Sequence, residues 1–64
     1  MSELEGQIGD LVIRVTQEGF DWRWTVVDRD GGIRATARDP DQHFAWCEAM
    51  STALKASRAQ GAQI

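Results

Sequence analysis

From Phe20 to Val27 the chain reads Phe-Asp-Trp-Arg-Trp-Thr-Val-Val, apolar and polar side chains alternating for most of its length. Successive side chains on a strand point to opposite faces, so this stretch predicts a central β-strand with one apolar and one largely polar face. Before it, Leu11 to Gln17 is alternating and rich in β-branched residues, which predicts another strand. Glu18-Gly19 between them reads as a two-residue turn, with glycine free to take a positive φ. That turn sets Val15 opposite Trp22, Ile13 opposite Trp24 and Leu11 opposite Val26, so apolar meets apolar on one face.

Asp30-Gly31 supplies a second hairpin signal. With those two residues as the loop, Asp28 faces Ile33, Val26 faces Ala35 and Trp24 faces Ala37. The expected core face of the sheet is Leu11, Ile13, Val15, Trp22, Trp24, Val26, Ile33, Ala35 and Ala37. Asp39-Pro40-Asp41-Gln42 then announces a helix, with Asp39 as N-cap, Pro40 at the first position and Gln42 completing a capping-box-like arrangement. The helix is expected to run to about Ala59, with Gly61 placed to end it. On its wheel Trp46, Met50, Ala53, Leu54, Cys47 and His43 share an apolar arc, while Phe44 falls among the polar positions. Residues 1 to 10, with two glycines, three acids and few apolar anchors, read as a flexible N-terminal arm. The expectation is one α+β domain over residues 11–64, a three-stranded antiparallel meander with a C-terminal helix on one face (βββα).

Sixty-four residues bound a single small core. The net charge of −3 argues against coating nucleic acid by bulk electrostatics. The single cysteine, Cys47, cannot form an internal disulfide, which suits a reducing cytoplasm. The N-terminus lacks the basic start and apolar run of a signal peptide, and no apolar stretch approaches the roughly 20 residues of a membrane span.

Chemistry is sparse. Cys47 and His43 stand four apart, a spacing metal sites use, but a zinc site needs three or four ligands and the chain holds one Cys and one His. They read as a buried, unreactive core thiol and a helix-start histidine. Asp28, Asp30, Asp39 and Asp41 read as turn and cap residues. No catalytic, cofactor or metal motif emerges, so no enzymatic activity, cofactor or small-molecule substrate is expected.

The polar face of the sheet is the informative surface. The expected register lines up Arg14, Arg23 and Arg38 across three strands, with Val27 and Arg34 beside them. Like charges directly opposite one another are destabilising, so such a row suggests an anionic counterpart. Asp21, Glu18 and the N-terminal acids could supply one from within the chain.

The order strand-strand-strand-helix, from Leu11 to Ala59, is similar to that of the plant ethylene-response DNA-binding domains and the arm-binding domains of tyrosine recombinases. Those families present arginines on an open three-stranded sheet to the major groove, and the resemblance implies the same use of Arg14, Arg23, Arg34 and Arg38. It is a likeness of topology, and the acidic total departs from the basic balance of those families. Many small bacterial proteins share the layout. The leading expectation is a cytoplasmic, non-enzymatic interaction module, such as an accessory, regulatory or inhibitor protein. It would bind a protein partner or a second copy of itself through the open sheet face, with Arg14, Arg23, Arg34, Arg38 and Val27 as contacts and Phe44 of the helix as a second contact. Sheet-mediated DNA binding is the alternative. Acids gathered on the arginine face favour a protein partner, and acids elsewhere favour DNA.

Overall fold

The computed structural model describes the backbone from Glu3 to Gly61 and the side chains from Glu3 to Arg58. Strands β1 (Leu4–Ile8), β2 (Leu11–Glu18), β3 (Asp21–Val27) and β4 (Ile33–Asp39) form one antiparallel sheet in sequential order. Helix α1 (Gln42–Gly61) lies across one face and touches all four strands. The class is α+β as expected, but the sheet has four strands where three are expected from the sequence.

The additional strand occupies residues that read as an arm. Leu4, Gly6 and Ile8 alternate with Glu5 and Gln7, and Gly9-Asp10 forms a two-residue turn in which Gly9 takes a φ of 59°. That turn sets Ile8 opposite Leu11 and Leu4 opposite Val15. Glycine and glutamate are poor strand formers, which hides β1 from a propensity reading. Gly6 has a packing reason: a Cβ there would lie 2.6 Å from the Trp46 ring, which lies over this strand.

The β2–β3 register is shifted by two residues from expectation. The loop is Gly19-Phe20, with Gly19 at a φ of 63°, and Glu18 pairs with Asp21 as part of the ladder. Val15 therefore faces Trp24, and Ile13 faces Val26. A shift of two preserves the face of every side chain, so the apolar pairing survives with different partners. A glycine in the first loop position is what a type II′ turn uses, and Glu18-Gly19 would have put it second. Phe20 leaves the apolar face altogether and is 99% exposed at the turn.

The β3–β4 register matches expectation from Trp24–Ala37 to Val26–Ala35 and then breaks. Asp28 Oδ1 accepts hydrogen bonds from the Asp30 and Gly32 amides at 3.0 and 2.9 Å. The Asp28 amide donates to the Gly32 carbonyl, and Gly31 takes a φ of 87°. The loop is thus three residues, Arg29-Asp30-Gly31, the form in which a type I turn ends in a left-handed residue. A bulge between Val26 and Val27 absorbs the difference, so Ile33 faces Val27 and not Asp28. Ile33, expected in the core, is 67% exposed.

The helix is capped by Asp41, not Asp39. Asp41 Oδ2 accepts from the Phe44 amide at 2.9 Å, and its carbonyl accepts from Ala45. Asp39 ends β4 and accepts a hydrogen bond from the Trp24 indole at 3.1 Å. The helix runs to Gly61, past the expected end at Ala59.

Leu11, Ile13, Val15, Trp24 and Val26 form the buried sheet side of the core. Ala45, Ala49 and Ala53 form the buried helix side, four residues apart on one stripe. Burying each of the large aliphatic side chains contributes about 1.5–3 kcal/mol. Trp22, Ala35, Ala37, Trp46 and Met50 pack partly buried around this centre. The stripe lies roughly half a turn of the wheel from Cys47 and His43, which are exposed, as is Leu54. The buried thiol read from sequence is therefore corrected: the fully buried helix positions are alanines, and Cys47 faces away from the sheet.

Trp24→Ala is expected to cost about 3–5 kcal/mol in urea unfolding. Gly6→Val, which strand propensity alone would favour, is expected to cost about 1–3 kcal/mol by overpacking Trp46. An unchanged urea midpoint for Gly6→Val would show that Trp46 does not lie on β1.

Candidate functional site

With α1 on one side, the sheet has an open face built from Glu5 and Gln7 of β1, Val12, Arg14, Thr16 and Glu18 of β2, Asp21, Arg23, Thr25 and Val27 of β3, and Arg34, Thr36 and Arg38 of β4. The expected arginine row is only partly formed. Arg23 does face Arg38, but Arg14 faces Thr25 on β3 and Glu5 on β1.

Glu18 lies between the like charges. Arg23 donates to it as a fork, Nε to Oε2 at 2.9 Å and Nη2 to Oε1 at 3.2 Å, and Arg38 Nη1 reaches the same Oε1 at 3.3 Å. The remaining Arg23 Nη1 donates to Thr36 Oγ1 at 3.0 Å, and the Thr36 hydroxyl donates to the Trp24 carbonyl. The two-residue register shift creates this cluster, because it moves Glu18 out of the loop and onto the arginine face. Elsewhere Arg14 pairs with Glu5 at 2.8 Å and Arg34 with Asp28 at 3.4 Å. Arg29 pairs with Asp10 at 3.3 Å, linking two turns at the same end of the sheet. Among the described residues, every arginine from Arg14 to Arg38 has a carboxylate of its own chain.

The hydrogen bond from Arg23, with the charges of Arg23 and Arg38 beside it, holds the Glu18 carboxyl below the ordinary carboxylate range against some desolvation. Glu18 raises Arg23 in turn, first through the same hydrogen bond.

At the opposite end of the face lies an apolar row. Val12 faces Val27 on this side, and Val27 pairs with the exposed Ile33 across the bulge, so three apolar residues stand at neighbouring positions of β2, β3 and β4. Val12, Arg14, Val27 and Gly31 line a shallow hollow of about 360 Å³ beside it. The sequence pattern assigns Ile33 to the core, and no periodicity signal marks it as surface. The clue is Asp28 ahead of Asp30-Gly31-Gly32, a side chain able to close a longer loop and so force the bulge. Phe44 is 56% exposed, as its place on the wheel implies, but it sits on the helix layer with the sheet between it and the open face. Arg14, Arg23, Arg34, Arg38 and Val27 thus share the open face with Val12 and Glu18, and Phe44 lies apart from them on the helix.

Among the described residues no group of three or more His, Cys, Asp or Glu side chains is placed to hold a metal ion, and no helix is long and apolar enough to cross a membrane. No family model, curated protein or solved structure matches the chain.

A carboxyl whose pKa is depressed in the folded state stabilises the fold above its unfolded pKa and loses that contribution as pH falls through the folded value. Urea midpoints of the native chain are therefore expected to fall more steeply than those of Glu18→Gln as pH drops through the carboxylate range. Parallel pH profiles for the two proteins would show that Glu18 is not held by Arg23.

Proposed function

We propose that this chain is a non-enzymatic protein-interaction module whose docking surface is the open sheet face. The surface centres on the Val12–Val27–Ile33 row, with Arg14 and Arg34 beside it. The observation that carries this reading is the pairing of each sheet-face arginine with a carboxylate of its own chain, while Val12 and Val27 lie half-buried side by side on that face next to the exposed Ile33. An apolar centre ringed by polar groups with satisfied hydrogen bonds is the anatomy of protein–protein contact.

The same observation weighs against DNA. Phosphates would have to displace Glu5, Glu18 and Asp28 from their arginines and then lie beside those carboxylates. Binding driven by counterion release gains little where the counterion is covalently part of the protein. A second copy and a different protein both suit the surface, whose positive and negative groups are evenly mixed.

A photo-crosslinking amino acid at Val27, introduced in cells that express the protein, is expected to trap a protein adduct or a covalent dimer. The same probe at Gln17, exposed at the far end of β2 and on neither the open face nor the helix, serves as the reference and is expected to trap neither. Ile33→Asp should abolish the Val27 adduct while changing stability by less than about 0.5 kcal/mol, since Ile33 is mostly exposed. A nucleic-acid adduct at Val27, or equal trapping at both positions, would overturn the proposal.

A further inference from the structure

The outward side of α1 carries a pair of metal-ligating side chains. His43 and Cys47 are both exposed, one helical turn apart, with Nε2 and Sγ 3.6 Å from each other. In a tetrahedral zinc site, Zn–S of about 2.3 Å and Zn–N of about 2.0–2.1 Å put sulfur and nitrogen about 3.6 Å apart. The pair therefore already spans one edge of a zinc tetrahedron, and a metal could enter without moving the helix backbone. One chain offers two ligands where a closed zinc site needs four.

A second observation on the same side says where the other two come from. Phe44 is 56% and Leu54 42% exposed, apolar side chains that the core does not use. Leu54 stands seven residues beyond Cys47, so the two fall on one line along the helix, as seam positions of a coiled coil do. Two copies related by a two-fold axis parallel to α1 would set Leu54 against Leu54 and bring both His43–Cys47 pairs together at the same level. An antiparallel pair would separate them.

We propose that His43 and Cys47 form half of a zinc site that a second copy completes, giving a metal-linked parallel dimer along α1. Each Cys47 binds as thiolate and its proton passes to solvent, two per zinc, while each His43 binds as the neutral ring. The sheets then lie on the outside of the dimer, so their open faces stay free.

The test uses the full chain, stripped with a chelator and kept in a phosphine reductant that excludes disulfides, with zinc chloride as the only addition. Zinc should double the mass measured by light scattering at one metal per two chains, and chelator should reverse it. Cobalt in place of zinc should give the absorption of a tetrahedral thiolate site. Cys47→Ser and His43→Ala should each abolish the doubling while keeping the melting temperature of the metal-free protein, because both side chains are exposed. Leu54→Glu should weaken the dimer and leave both ligands in place. One zinc per chain without doubling, doubling that persists in Cys47→Ser, or no zinc uptake would overturn the proposal.

Discussion

The molecule is organised by a division of volume between its two layers. The sheet supplies the large side chains, Trp24 with Leu11, Ile13, Val15 and Val26, and the helix answers with Ala45, Ala49 and Ala53. Interiors are filled to the density of organic crystals, so the bulk on one side fixes how much the other can contribute. Alanines let α1 approach closely, and that approach brings the Trp46 ring down over β1, where only a glycine leaves room. The first strand of the sheet is in this sense a consequence of the alanine stripe. So is the outward side of the helix: once the alanines face in, His43, Cys47 and Leu54 must face out.

Much of this is legible in the residues alone. The alternation from Leu11 to Val27 assigns every side chain of β2 and β3 to its face, because a register error of two residues leaves that assignment intact. The helix announces itself through Asp-Pro-Asp, although two aspartates compete for the cap. Asp41 wins because Asp39 is taken by the Trp24 indole, a contact between residues fifteen apart that no local pattern encodes. β1 is hidden because its glycine is a liability by propensity and an asset only when Trp46 is above it. The helix wheel misleads because it ranks side chains by hydrophobicity and so turns Leu54 and Cys47 inward, whereas the fully buried stripe is Ala45, Ala49 and Ala53.

The open face illustrates how a charge pattern changes meaning with register. Two residues out of step, Arg14, Arg23 and Arg38 form a bare cationic row that asks for an external anion. In the observed register Glu18 bridges two of them and Glu5 takes the third. Exposed ion pairs of this kind add little stability, and they offset the arginine charge on this face with carboxylates of the same chain.

The orientation of α1 underlies the core and both surfaces, and thiol accessibility reads it directly. In the metal-free native protein Cys47 should react with a maleimide about as fast as it does in denaturant. In a Cys47→Ser background, Ala49→Cys should be strongly protected until the protein unfolds. Protection of Cys47 and fast labelling at position 49 would mean that the helix is rotated, with the alanine stripe facing solvent and the division of volume between the layers wrong.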